Sequence, residues 1–272
     1  MIWSACKVRL RLLTPMHIGQ SKQGNLQRTR PYVHGRALWG ALTARITRDN
    51  STFDGDYQAV GKRVNDELAF SYFYPATEDR VDCWPWEDAG RFAWSFLGSY
   101  TGTALEYSRN AAAEGSLHET EFIAPTTRDG RPVCLIGYIF ARTDCSLLWE
   151  QALNRLQIGG ERTYGWGRVV CDSCLAEATT LFGRYALDLR HDRPVVTLEA
   201  GNRLLAHAHA YGDGAISATG RVLPLVGRET RAANAHGRHY SQAVVCWEPG
   251  SVVKSAGQVV IGPYGIWEAV SP

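Results

Sequence analysis

The sequence predicts an α+β fold. Three observations carry this: strand-period hydrophobicity at the N-terminus and mid-chain, helical spacing between those segments, and a glycine-rich turn leading into a further strand. With 272 residues, 45% of them hydrophobic, the chain can bury a core as one large domain or two small ones.

The first strand covers Trp3 to Leu13, with Ala5, Val8, Leu10 and Leu12 expected on one side and a charged row opposite. A polar loop, Gly19 to Arg30, follows it. Leu38, Leu42 and Ile46 then recur at helical spacing over Gly35 to Ile46, and a second helix is possible near Ala59 to Ala69. Strands are predicted at Glu119 to Ile123 and Val133 to Phe140, separated by the turn residues Arg128-Asp129-Gly130. A helix over Leu147 to Leu156 and a strand over Tyr164 to Val170 complete this part. The order strand, helix, strands, helix, strand is that of a ferredoxin-like (RRM-like) split βαβ unit over residues 1–175. Strand-like stretches at Val195 to Leu198, Gln242 to Trp247 and Gln258 to Ile261 predict a second, smaller α+β domain, 176–272, as a degenerate copy of the first.

No run of eighteen apolar residues exists, and the N-terminus lacks a signal-peptide core, so a cytoplasmic location is expected. Seven scattered cysteines fit a reducing compartment better than a disulfide framework. A net charge of +2 and a pI near 8.2 exclude any inference of a nucleic-acid partner from bulk charge, leaving local clusters to decide.

Such a cluster occupies Ile158 to Val169, where Gly159, Gly160, Gly165 and Gly167 accompany Arg162 and Arg168. Glycines permit positive φ and close backbone approach, so N–H groups can face phosphate oxygens while arginines add charge-assisted contacts. The spacing fits neither the Rossmann fingerprint nor a Walker loop. A plain glycine-rich hairpin turn with surface arginines accounts for the same residues about equally well.

The run Gly159-Gly160-x-Arg162-x-x-Gly165-x-Gly167-Arg168-Val169 resembles the glycine-rich loop of the RAMP superfamily, RNA-binding proteins of CRISPR systems. Leu13 to Gly19 is similar to the end of that family's first strand, and Tyr32 to Leu42 to its pre-helix motif, with His34 where proline is commoner. Ser108 to Glu121 resembles the inserted thumb hairpin of type III effector subunits. Pro224 to Glu229 and Pro249 to Val252 are similar to the second domain of subunits that cap the guide's 5′ handle.

The resemblance implies a noncatalytic subunit of a type III effector, partnered by guide RNA, the large signalling subunit and backbone subunits. A guide-processing endoribonuclease of the same superfamily and a repeated backbone or scaffold subunit are the alternatives. RNA contacts are expected from His17, Lys22, Arg28, Arg30, Arg36, Arg109, Gly159, Gly160, Arg162, Tyr164, Gly165, Trp166, Gly167 and Arg168. Tyr164 and Trp166 stand where an aromatic ring stacks on an unstacked base or serves as a packing anchor. Arg45 and Arg48 read as solvated helix charges.

No acidic residue lies between Gly19 and Gly35, where target-cutting relatives carry an aspartate, and Asp49 is expected beyond the helix. His17, His34 and His118 are the candidates for a general acid or base, each more often a structural group. Cys171-Asp172-Ser173-Cys174 has zinc-ligand spacing that His207-x-His209 or His236-x-x-His239 would complete. With no second cysteine pair at matching spacing, buried structural cysteines are favoured, and neither catalytic group, metal nor cofactor is assigned.

Overall fold

The computed structural model describes residues 2–50, 55–78, 80–82, 85–176, 179–229 and 239–270. In chain order its first part runs β1 (Trp3–Leu12), β2 (Gly19–Gln23), β3 (Leu26–Thr29), α1 (Gly35–Asp49), α2 (Tyr57–Glu67), β4 (Leu68–Phe70), β5 (Tyr74–Thr77), β6 (Arg80–Val81), α3 (Ala89–Phe96), β7 (Leu97–Gly102), β8 (Leu105–Glu106), β9 (Ala111–Ala112), β10 (His118–Ile123), β11 (Val133–Arg142), α4 (Trp149–Leu153) and β12 (Val169–Ala176).

The main sheet has the order β12-β1-β11-β5-β6, with β4 also paired to β11. The pairings given for these strands are antiparallel. Taking β4 and β5 as one broken second strand gives the order 4-1-3-2, with α1 and α4 in the two crossovers. That is the ferredoxin-like fold.

Its two faces bury different cores. On the helical face, Val8, Leu10 and Leu12 of β1 meet Leu38, Leu42 and Ile46 of α1, Val60 and Val64 of α2 and Leu153 of α4. Each large apolar side chain fully buried there contributes about 1.5–3 kcal/mol. On the other face, Trp3 and Ala5 of β1 join Tyr138 and Phe140 of β11 in a core completed by Leu198, Leu205, Ile261 and Trp267. Ala5 therefore does not share the row of Val8, Leu10 and Leu12. Side chains alternate along a strand, and the β1–β11 register runs without a slip from Trp3 to Arg11, so odd and even positions stay on opposite faces.

The covering layer is an eight-stranded sheet formed, in spatial order, by Thr180–Leu181, Tyr185–Asp188, Val195–Leu198, Gly257–Ile261, Trp267–Ala269, Ala208–His209, Val244–Trp247 and Val222–Leu225. Among the described residues after 176 there is no α-helix, only strands and the 3-10 turn Pro263–Gly265, where an α+β unit was expected. Tyrosine hydroxyls fasten the layers: Tyr74 donates to the Leu205 carbonyl at 2.6 Å, Tyr138 accepts from Phe182 N at 3.0 Å, and Tyr72 shares a 2.6 Å hydrogen bond with His207 Nδ1.

A separate four-stranded sheet, β2-β3-β10-β7, stands beside the main one. The expected polar loop Gly19 to Arg30 is thus a hairpin, and its second strand lies parallel to β10, Leu26 opposite Glu119. The thumb-like segment begins at β7 rather than at Ser108, for β7 and β10 pair from Leu97–Ile123 to Gly102–His118, and β8 with β9 extends the hairpin to its tip. Consequently β10 and β11, read as neighbours, belong to different sheets.

Candidate nucleic-acid interface

The glycine loop joins α4 to β12. It is fixed from below by the chain that leaves β1: Gly160 N donates to the His17 carbonyl at 2.9 Å, Gly167 N to the Pro15 carbonyl at 2.7 Å, and Arg168 N to Thr14 Oγ1 at 3.0 Å. Gln157 Nε2 ties the loop across itself, donating to the Arg162 and Trp166 carbonyls at 3.0 and 2.9 Å. Gly159 and Gly167 have φ of 92° and 78°, and a Cβ on either would run into the carbonyl oxygen of His17 or of Ile158. No other residue fits there. Strand Tyr164 to Val170 accordingly does not form; Arg162–Tyr164 is a 3-10 turn, Gly165 and Gly167 are left-handed, and β12 starts at Val169.

This changes the expected role of the glycines. Gly160, Gly165 and Gly167 all spend their N–H groups inside the protein, so they do not form a row of free phosphate donors. What the loop offers outward is side chains. Arg162, Tyr164 and Arg168 are exposed, Tyr164 by 74%, and neither arginine makes an ion pair with a described residue. Trp166 is the packing anchor: its ring meets Phe122 edge-on at 5.1 Å and Tyr100 at 6.3 Å, joining the loop to the four-stranded sheet.

Between this loop and α1 lies an open cleft of about 560 Å³. Ala37, Gly40, Ala41 and Ala44, at i, i+3, i+4 and i+7, give the helix a small-residue face along it, so a partner can approach the helix backbone. Arg36, Arg48, Arg162 and Arg228 line it, and among the described residues no acidic one does. Partial burial, then the neighbouring Arg48 charge, lowers the Arg162 pKa from its ordinary value. Several cations converging where no described acid lines the cleft favour a polyanion there. Arg48 and Arg228 were not among the expected contacts. Arg48 continues the small-residue stripe one turn on, and its Nε donates to Tyr57 Oη at 3.4 Å rather than pairing with acid. Arg45, by contrast, is spent on Asp49, which ends α1 instead of lying beyond it and also pairs with Arg155 at 3.2 Å.

Arg36 lies 4.5 Å from the centre of the Tyr264 ring and donates to Ser241 Oγ at 3.3 Å. With Arg30, His34, Tyr72 and His207 it lines a second, smaller cavity of about 280 Å³ between the two layers. The remaining expected residues stand apart from the main cleft. Arg28 pairs with Glu121 at 3.2 Å, Lys22 is exposed on β2, and Arg109 pairs with Glu106 at 3.5 Å near the thumb tip. His17 is buried and contributes its backbone, with Nδ1 2.7 Å from the Glu121 carbonyl.

His34 caps α1, its Nδ1 accepting from Ala37 N at 3.2 Å, and burial followed by the Arg30 and Arg36 charges lowers its pKa to about 3. An imidazole that is neutral and already accepting is no general acid at neutral pH. His118 Nδ1 lies 3.0 Å from the Ser116 carbonyl. The zinc groupings drawn from sequence are not assembled: His207 sits in the inter-layer core on Tyr72, His209 faces Glu268 at 3.5 Å, and Cys171 and Cys174 pack against the helical core on the other side of the main sheet. His236 lies outside the described residues.

No helix is long and apolar enough to cross a membrane among the described residues. No curated protein matches the chain. Among solved structures, a chain of the Type III-B Cmr-beta complex bound to cognate target RNA and AMPPnP superposes with a TM-score of 0.53 at 12% identity, over 91% of this chain and 86% of that one. Another, from Cmr-beta bound to cognate target RNA, gives a TM-score of 0.43 at 11% identity, over 61% and 96%. The model of the RAMP superfamily matches residues 9–170, more than half of the sequence, from the second half of β1 through the glycine loop. The chain belongs to the RAMP superfamily.

Proposed function

We propose that the chain is a noncatalytic guide-RNA-binding subunit of a type III CRISPR effector. It holds the guide's 5′ handle and contacts the large signalling subunit and the backbone subunits. The observation that carries this reading is the convergence of Arg36, Arg48, Arg162 and Arg228 on one cleft between α1 and the glycine loop, whose described lining holds no acid. Single-stranded RNA is recognised by cation contacts along its backbone and by aromatic rings against unstacked bases, and exposed Tyr164, two residues from Arg162 on the loop, offers a ring for the second purpose. The likeness to a Cmr-beta chain across both layers supports the assignment to this class of complex. We read 1–175 and 176–272 as two domains, consistent with the separate sheets.

The noncatalytic reading is supported by His34, whose Nδ1 caps α1 and whose imidazole is kept neutral by burial. Native mass spectrometry of the assembled effector tests the position: one copy per guide, cross-linking to the guide's 5′ end, is expected. Several copies spaced along the guide would make it a backbone subunit, and site-specific cleavage of guide precursor lost in His17→Ala would make it a nuclease.

A further inference from the structure

Cys171 and Cys174 are three residues apart on β12, and in an unbroken strand such residues face opposite sides. Here the ladder slips. Arg9 pairs with Ser173 but Leu10 with Cys171, leaving Asp172 as the extra residue of a β-bulge. Cys174 falls opposite Val8 and Cys171 opposite Leu10, so the bulge turns both thiols to the helical face that Val8 and Leu10 occupy. Asp172 takes the other side, with its carboxylate 3.2 Å from Arg11 Nε. Cys6, an even-numbered residue of β1, shares the helical face, and α4 brings Glu150 over it.

The sulfurs of Cys6 and Cys174 and a carboxylate oxygen of Glu150 lie within 4.8 Å of one another. Cys171, half-buried on the same face, lies outside that group, its Sγ donating to the Ser173 carbonyl at 3.5 Å. We propose that Cys6, Cys174 and Glu150 bind a thiophilic divalent cation of the zinc class, Cys171 becoming the fourth ligand by turning its thiol away from that carbonyl. Thiolates on adjacent strands with one carboxylate from a helix give the soft, four-ligand set that such an ion takes in tetrahedral sites.

Cys246, buried on the far layer away from this cluster, serves as the control. The ion's position suits a structural task. It would join β1, α4 and β12, and the last two are the elements between which the glycine loop is slung.

Cobalt(II) titration of the full chain, purified under thiol reductant and stripped with chelator, tests this. About one equivalent bound, with thiolate-to-cobalt charge-transfer absorption that zinc abolishes, is expected. Cys174→Ser should weaken binding by more than the roughly 10- to 100-fold that loss of an outer partner of a metal ligand causes. Glu150 is exposed, so Glu150→Gln should weaken binding in a chain whose far-UV spectrum is unchanged. Cys246→Ala should bind as the parent does. Absence of the charge-transfer band, or its persistence in both Cys6→Ser and Cys174→Ser, overturns the site. Guide-RNA affinity does not enter this readout, so its outcome is separate from the proposed function.

Discussion

If Arg48 and Arg162 each neutralise one phosphate, replacing both with glutamine should leave a calculable signature. Arg36 is a poor choice for this test because its guanidinium also packs on Tyr264 and bonds Ser241. Arg48 and Arg162 are exposed and make no ion pair with a described residue, so their loss leaves no buried charge behind. Each phosphate contact on a single strand contributes about 0.7 to the slope of log affinity against log salt. Two contacts therefore remove about 1.4 from that slope. Over a fourfold dilution of salt, from about 200 to 50 mM, the difference between parent and variant should widen by 4 to the power 1.4, roughly sevenfold. Fluorescence anisotropy of labelled guide RNA across that salt range, with the thermal melt unchanged, measures it. An unaltered slope in a folded double variant would refute the cleft as the phosphate path. So would an equal change in Arg190→Gln, whose guanidinium is held by Asp188 on the other layer.

Three further outcomes follow from local geometry. Gly167→Ala should lower the melting temperature well beyond Gly165→Ala, because both sites have positive φ but only the first would drive a Cβ into a backbone carbonyl; open space at Gly165 leaves about 1–2 kcal/mol of conformational strain. With the folded pKa of His34 lowered to about 3, the unfolded chain takes up a proton below pH ~6.5 that the native state does not. Stability should thus fall as pH drops from ~6.5 toward 3, and His34→Asn, which keeps a capping side chain, should fall less in urea titrations at pH 7 and 5; an equal fall would remove His34 from the linkage. At the thumb tip, where Tyr107 is 86% exposed, Tyr107→Ser should leave the melt within about 0.5 kcal/mol of the parent yet reduce protease protection of the hairpin in the assembled complex. Equal protection would argue against a docked tip.

The framework of the first half was legible because it is written in periods. Val8, Leu10 and Leu12 at spacing two, and Leu38, Leu42 and Ile46 at spacing four, both point to the helical core that they fill. The errors arose where tertiary pairing decides. Gly19 to Arg30 carries no hydrophobic alternation, and its strands exist because β10 supplies a partner for Leu26 and Gln27 from nearly a hundred residues away. Ala5 was misplaced because one row of apolar residues was assumed, whereas this strand changes the face that it buries between Ala5 and Val8. Short strands after 176 offered too few residues for any period to register.

The candidate site was half legible, for a related reason. Glycines and arginines near Gly159 could be singled out by composition, but whether a glycine N–H faces a phosphate or a carbonyl of Pro15 or His17 depends on contacts across the fold. A signal that went unused was the stripe Ala37, Gly40, Ala41 and Ala44, the complement on α1 of the apolar row that was read. The most consequential surprise concerns the sheet. In an RRM the open β-face carries the aromatics on which bases stack, and here Tyr72, Tyr74, Tyr138 and Phe140 occupy the corresponding face. Their rings are closed under the second layer and the hydroxyls of Tyr72, Tyr74 and Tyr138 are committed to it. RNA cannot lie on that face without separating the layers. The basic surface lies at the margin of the helical side, where α1 presents small residues, the glycine loop presents Arg162 and Tyr164, and Arg228 reaches in from a hairpin of the second half of the chain. The aromatic sheet face thus serves to join the two layers, and the cations of the proposed RNA site come from both halves of the chain.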